Sequence, residues 1–139
     1  MKYRTESLGQ KPICGLVAMS LVAGVSLQES IEAYQKACVA LGRKPMQGNW
    51  KGATYHRIRK YALEKLLNVD IEKTKHSGIS LKTFAKYAEP NTMYMVRTTG
   101  HVQVYLNGCV VDQGGITPIE EFWGKRKRIK DVYIVKKNV

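Results

Sequence analysis

The clearest hydrophobic pattern lies in the second half of the chain, where alternating apolar and polar positions run from Tyr94 to Gly115. Asn107-Gly108 separates two such runs, and this dipeptide predicts a β-hairpin with a two-residue type I′ turn. The region as a whole predicts a strand, a short break, a second strand, the turn and a third strand. The turn fixes the pairing of the last two strands: Leu106 with Cys109, Tyr105 with Val110, Val104 with Val111, and Gln103 with Asp112.

The first half of the chain carries helical patterns. Residues 16–23 are apolar on nearly every side, which predicts a buried helix that begins near Cys14 and is closed by Gly24. Ser26 and the glutamate three residues later form a capping-box signature, which predicts that a second helix begins there. Its apolar stripe ends at Leu41, before a glycine.

The remaining segments alternate between periodic and polar stretches. Residues 54–67 predict a third helix, residues 68–79 a polar connection and residues 81–88 a short fourth helix. Residues 117–120 carry a Thr-Pro-x-Glu signature, which predicts a helical turn. Residues 131–135 predict a last strand. Because helices come first and an antiparallel sheet follows, the predicted class is α+β, with N-terminal helices packed on a small sheet.

Length and cysteine usage narrow the class of protein. A chain of 139 residues suits one domain, residues 1–139, with residues 1–11 as a polar N-terminal arm. No apolar run approaches the roughly 20 residues that span a bilayer, and no secretion signal is recognisable, so we expect a soluble intracellular protein with no membrane contact. Three cysteines without a C-x-x-C pair favour neither disulfides nor a metal site, and we expect no cofactor.

The charge balance suggests an acidic partner. Lys and Arg number 23 against 11 Asp and Glu, a formal net charge of +12. Nucleic acid is one such partner, although no known nucleic-acid-binding motif occurs and a basic run is equally typical of a solvated surface. The residues that would form this interface are Arg57, Arg59, Lys60, Lys125, Arg126, Lys127, Arg128 and Lys130.

Three residues form a candidate catalytic set. Cys14 lies at the predicted N-terminus of a buried helix, where the helix dipole favours a thiolate. The hairpin register places His101 and Asp112 on one face as diagonal neighbours, about 7–8 Å apart at the backbone. A carboxylate in that position orients the imidazole, which then activates the thiol. An incidental His and Asp on a surface hairpin is the alternative.

Competing residues are less well placed. Cys109 falls on the face opposite His101, which assigns it to packing. Cys38 lies on an apolar helix face and is interpreted as a small buried hydrophobe. His56 belongs to a basic helix in which the sequence places no carboxylate to orient it.

The order Cys, His, Asp and its local motifs resemble small papain-like (C39-like) cysteine peptidases of phages and prophages. Cys14-Gly15 is similar to the start of their catalytic helix, and Gly100-His101-Val102, followed by Asn107-Gly108 and Asp112, is similar to their His and Asp block. The resemblance covers residues 12–135. It implies a papain-like fold and a thiol hydrolase that cleaves an amide, peptide or isopeptide bond.

The resemblance also implies a partner and a location, which are a protein or peptide substrate, such as a host protein, and the cytoplasm of a host bacterium. Papain-like enzymes carry an oxyanion-hole glutamine six positions before the cysteine, where this chain has Leu8. Gln10, four positions before Cys14, is therefore the candidate, together with the Cys14 backbone N–H. Two alternatives stay open: a catalytically inactive papain-like interaction protein and a basic nucleic-acid-binding phage protein.

Overall fold

The protein has an α+β architecture in which helices pack on a six-stranded antiparallel sheet, so the predicted class is confirmed. The computed structural model describes residues 13–45 and 54–137. The helices are α1 (Cys14–Ala23), α2 (Leu27–Ala40), α3 (His56–Tyr61) and α4 (Leu81–Ala85), with a π-helical turn at Ala62–Leu66 and a 3₁₀ turn at Ile119–Glu121. The strands are β1 (Val69–Lys73), β2 (Tyr94–Thr98), β3 (His101–Leu106), β4 (Cys109–Asp112), β5 (Gly115–Pro118) and β6 (Ile129–Lys137).

The strand order in the sheet is β1-β6-β2-β3-β4-β5. The last strand of the chain therefore lies near the middle of the sheet, between β1 and β2. The sequence-predicted hairpin register is confirmed where β3 and β4 pair: Val104 with Val111, Tyr105 with Val110 and Leu106 with Cys109. Asn107 and Gly108 have φ values of 47° and 82°, the positive values that a type I′ turn requires.

Alternation along the strands divides the buried side chains between the two faces of the sheet. Val104 and Val111 belong to a core that includes α1 and α2, whereas Tyr105 and Val110 belong to a second core under α4. Phe84 of α4 is fully buried in that second core. The sheet is therefore covered on both faces, and its strands carry few exposed apolar positions.

The N-terminal helices follow their sequence signals. Gly24 has a φ of 69° and closes α1, as the sequence predicts. The Ser26 side chain accepts the Glu29 N–H while the Glu29 carboxylate accepts the Ser26 N–H, so the predicted capping box is present. Burial of nearly the whole α1 surface explains why its sequence is apolar on every side.

Two strands were not predicted. β1 lies inside the segment interpreted as a polar connection, because its two buried residues, Val69 and Ile71, are too few to give a strong alternating pattern. Its pairing partner β6 lies more than fifty residues later in the chain. β5 forms where a helical turn was predicted to begin. The turn starts instead after Pro118, at the 3₁₀ residues Ile119–Glu121.

Within the described ranges, no single helix is long and apolar enough to cross a membrane, and α1 and α2, which together reach the length, meet at an angle of 107°. The N-terminal arm with Gln10, and residues 46–53 between α2 and α3, lie outside the described residues.

Candidate active site

His101 and Asp112 form a hydrogen-bonded pair on adjacent strands. His101 begins β3 directly after Gly100, whose φ of 73° allows the tight turn out of β2. The His101 Nε2 and Asp112 Oδ2 atoms lie 2.8 Å apart. The second carboxylate oxygen of Asp112 accepts the Gly114 N–H at 2.8 Å. Because both oxygens are held, Asp112 fixes the His101 ring, as the hairpin register predicts.

Cys14 approaches the same imidazole from helix α1. Its side chain is hydrogen-bonded to His101 and also accepts the backbone N–H of Val102. Since Nε2 of His101 is engaged by Asp112, the remaining ring nitrogen, Nδ1, is the one available to the sulfur. The three residues predicted from the sequence are therefore together, with the imidazole between the thiol and the carboxylate.

The electrostatics of this group favour a thiolate–imidazolium pair. Burial disfavours the charged form of His101, but the hydrogen bonds and charges of Asp112 and Cys14 outweigh it and raise its pKa to about 9. Burial likewise acts to raise the pKa of Cys14, yet the His101 hydrogen bond, the Val102 N–H and the nearby charges of His101 and Arg59 lower it overall. The opposite charges of the Cys14 thiolate and the His101 imidazolium stabilise each other.

The N-terminus of α1 supplies backbone donors beside the sulfur. Cys14 is the first residue of the helix, where backbone N–H groups have no intrahelical acceptor. Ile13, which precedes it, offers no side-chain cap among the described residues. The Cys14 N–H is thus suitably placed for an oxyanion hole. The other predicted oxyanion-hole residue, Gln10, lies outside the described residues.

Arg59 was predicted to lie on a basic helix surface, and this is wrong because its side chain is buried. The residue is 3 % exposed, and its Nη1 donates to the carbonyl oxygen and to the Oγ1 of Thr54, each at 2.7 Å. It packs against the first turn of α1: a Cβ on Gly15 would lie 2.0 Å from Thr54 Oγ1 and 3.1 Å from Arg59 Cδ. Glycine after the cysteine therefore permits a buried guanidinium beside the site.

A cleft of about 270 Å³ opens at Cys14 and His101. His56 lines it and stacks on Tyr133, with ring centroids 4.5 Å apart. Burial, together with the charge of Arg59, lowers the pKa of His56 to about 4. The His56 side chain is therefore neutral at physiological pH and forms part of the cleft wall. The sequence had suggested instead that His56 belongs to a charged helix surface, and this is wrong.

Trp123 was not identified from the sequence as a site residue. Its ring lies against His101, with centroids 5.3 Å apart, although 64 % of the residue is exposed. Lys127 Nζ in turn lies 4.8 Å from the centroid of the Trp123 ring. Trp123 follows His101 by twenty-two residues, and only the tertiary fold brings the two rings together.

The other basic residues proposed for nucleic-acid binding occupy two segments. Arg57 and Lys60 are exposed on α3, and Lys60 lies 4.0 Å from Glu64. In the second segment three side chains bond to backbone carbonyls: Lys125 to Glu120, Lys127 to Thr99 and Arg128 to Gly78. Arg126 and Lys130 are exposed.

The remaining thiols have other surroundings. Cys38 is 2 % exposed within the core of α1 and α2, and its burial raises its pKa. Cys109 is only partly buried, so its assignment to core packing needs correction. No cysteine in the described part of the chain is in a disulfide. Nor do the described residues include three or more His, Cys, Asp or Glu side chains arranged to hold a metal ion.

Comparison with known proteins gives no match: no protein-family model, no curated protein and no solved structure is significantly similar to this chain. The functional assignment therefore depends on the chemistry of the Cys14–His101–Asp112 site.

Proposed function

We propose that this protein is a papain-like thiol hydrolase that cleaves an amide, peptide or isopeptide bond. The observation that carries the proposal is a single imidazole, His101, hydrogen-bonded on one side to Cys14 and on the other to Asp112 at 2.8 Å. Each residue has a distinct task in acyl transfer, and the helix-then-sheet order agrees with the papain-like arrangement.

In the proposed reaction the Cys14 thiolate attacks the carbonyl carbon and forms the C–S bond of a tetrahedral intermediate. Its oxyanion accepts the Cys14 N–H at the start of α1. The C–N bond then breaks as the His101 imidazolium gives its Nδ1 proton to the leaving amine, which leaves a thioester on Cys14. Water, deprotonated by the now neutral His101, hydrolyses the thioester and releases the acid and the thiolate.

Asp112 holds the ring in the tautomer that this sequence of proton transfers needs. With Nε2–H donated to the carboxylate, the neutral imidazole presents Nδ1 as an acceptor toward Cys14. The substrate class in this proposal is a protein or peptide. The resemblance to phage-encoded proteins extends the proposal to a target in the cytoplasm of a bacterial host.

The test is proteolysis of a complex peptide mixture with the full chain, followed by mass spectrometry of the new termini. We expect products that disappear in Cys14→Ala and His101→Gln and persist in Cys109→Ala, which removes a partly buried thiol outside the site. Products that persist in Cys14→Ala would contradict the proposal. If no cleavage is found with the wild type and a thiol-directed covalent probe also fails to label Cys14, the scaffold is an inactive interaction protein.

A further inference from the structure

The cleft beside Cys14 is lined by basic side chains. Arg59, Arg97 and Lys130 contribute to its wall, and no Asp or Glu lines it among the described residues. An uncharged peptide does not need this composition at the point where its bond is attacked. The charges therefore bear on which substrates the cleft selects.

Not every positive charge in the cleft is available to a ligand. Arg97 is bound by Asp131 in a two-point ion pair, with Nε to Oδ1 at 3.1 Å and Nη2 to Oδ2 at 2.6 Å. Its charge is thereby compensated. His56 is neutral at physiological pH because burial and the charge of Arg59 lower its pKa to about 4. Of the basic residues that line the cleft, Arg59 and Lys130 therefore remain as candidates to attract a ligand.

Arg59 is the more unusual of the two. Only 3 % of its surface is exposed, and no carboxylate within the described ranges forms an ion pair with it. Two of its hydrogen bonds go to uncharged oxygens of Thr54, and its buried Nε has no hydrogen-bond partner among the described residues. Burying a guanidinium without a counter-charge is costly, so its position on the cleft wall points to an anion that arrives with the substrate.

The Cys14 thiolate does not fully serve as that anion, because it is already paired with the His101 imidazolium. The charges of Cys14 and Asp131 both act on Arg59, but among the described residues neither side chain forms a hydrogen bond with the guanidinium. Lys130 lies exposed on the same wall, and no described side chain pairs with it. A ligand in the cleft would therefore meet two cations that have no ion-pair partner among the described residues: the buried Arg59 and the exposed Lys130.

We propose that the cleft binds a carboxylate of the substrate next to the bond that Cys14 attacks, so that the enzyme selects acidic peptides. This inference rests on the proposed thiol-hydrolase function. The carboxylate belongs either to an Asp or Glu side chain or to the chain terminus. Arg59 supplies a fixed positive charge beside it, and Lys130 adds attraction as the substrate approaches.

Two alkylating agents of similar size test the charge of the cleft directly. Iodoacetate is an anion and iodoacetamide is neutral, and both form the same S–C bond with release of iodide. For Cys14 we expect the ratio of the iodoacetate to the iodoacetamide rate constant to exceed that of free glutathione at least tenfold, and to fall as salt is added. A Cys14 ratio equal to that of glutathione overturns the cationic-cleft proposal while leaving the thiol hydrolase intact. Slow reaction of Cys14 with both agents instead overturns the proposed function.

Variants distinguish the effect of the basic residues of the cleft on the rate ratio from the effect of the His101 imidazolium. Lys130→Gln should lower the rate ratio about threefold to tenfold, since it removes an exposed charge without touching the core. Arg126→Gln is the matched control: it removes one exposed charge from the same segment but does not line the cleft, and its ratio should equal that of the wild type. Arg59→Gln, which removes the buried charge, should lower the ratio as well, with folding checked by thermal unfolding. Equal ratios in Lys130→Gln and Arg126→Gln would contradict the proposal whether or not the Arg59 variant folds.

Three small ligands then identify the source of the carboxylate. The α-amide of N-acetylglutamate carries only a side-chain carboxylate. N-acetylglutamine carries only a terminal carboxylate, and the α-amide of N-acetylglutamine carries neither. At least one of the two anions should protect Cys14 from iodoacetamide at a concentration tenfold or more below that of the neutral compound. Equal protection by all three, or protection by an oligonucleotide but by none of them, would refute a carboxylate site.

Discussion

Replacing Asp112 by Asn should disable the site through the tautomer of His101. Asp112 is 4 % exposed, so the isosteric amide is preferable to a truncation that would leave a cavity. Its Oδ1 accepts the Gly114 N–H at 2.8 Å, and in the Asp112→Asn variant the amide carbonyl oxygen must keep that role. The amide NH₂ then faces His101 Nε2, which is forced to accept. The proton of a neutral imidazole moves to Nδ1, where it blocks the transfer of a proton from Cys14.

The structure sets the size of this effect. The pKa of His101 rises from 6.5 to about 9, which corresponds to about 3 kcal/mol in favour of the imidazolium. Burial opposes this rise, so loss of the Asp112 charge and of its hydrogen bond should lower the pKa of His101. The Cys14 thiol then loses its cationic partner, and burial raises its pKa. In catalytic triads in which a carboxylate orients the histidine, loss of the correct tautomer lowers turnover about 10⁴-fold.

Two measurements check this prediction. ¹⁵N-resolved NMR of the His101 ring reports both its titration and the nitrogen that carries the proton, and the pH dependence of Cys14 alkylation reports the thiol pKa. Asp70→Asn, on the exposed side of β1, is the control for a lost carboxylate and should change neither. If Asp112→Asn folds with the wild-type His101 titration and an unchanged Cys14 profile, the orienting role of Asp112 is refuted.

Four further outcomes are expected. Hydrolysis should show a bell-shaped pH profile whose alkaline limb lies near pH 9, where His101 loses the proton that it gives to the leaving amine; a rate that keeps rising above pH 10 would contradict this. Gly15→Ala should lower the free energy of unfolding by about 1–2 kcal/mol in urea denaturation, because its Cβ would lie 2.0 Å from Thr54 Oγ1; an increase would refute the close approach. Trp123→Ala should lower kcat about tenfold, or about 1.4 kcal/mol of barrier, by admitting water to the His101 ring, and an unchanged kcat would exclude this role. His56 has a pKa of about 4 in the folded protein, below its unfolded value of 6.5, so the free energy of unfolding decreases as the pH falls from 6.5 to 4. His56→Gln should remove on the order of 2 kcal/mol of that decrease, measured by urea unfolding at pH 7 and at pH 4.

The sequence predicts the parts of this fold that local chemistry specifies. Asn107-Gly108 fixes the hairpin register because both residues tolerate positive φ, and that register alone places His101 beside Asp112. Ser26 and Glu29 likewise specify the start of α2. These signals lie within a few residues of the structure that they determine, so one sequence is enough to predict it.

The features that the sequence did not predict depend on long-range packing, which no local pattern encodes. β1 is stabilised by β6 from the far end of the chain, so its short sequence gives little sign of a strand. Arg59 resembles any other basic residue on a helix, and only the approach of Gly15 and Thr54 buries it. Trp123 reaches His101 through the fold and not through spacing. Arg59 and Trp123, for which the sequence offers no motif and only tertiary contacts define the position, are therefore the residues at the site that sequence reasoning misses.

The most direct test of the account is the alkylation rate of Cys14 by iodoacetamide between pH 5 and 9, resolved by mass spectrometry from that of the other two thiols. At pH 7 we predict that Cys14 reacts faster than Cys109, the partly buried control thiol, and that its profile turns over below the pH typical of free thiols. In His101→Gln the Cys14 rate at pH 7 should fall at least tenfold while the Cys109 rate stays the same. A wild-type Cys14 that reacts no faster than Cys109, or whose rate is unaffected by His101→Gln, would contradict the assignment of Cys14 as an imidazole-activated nucleophile.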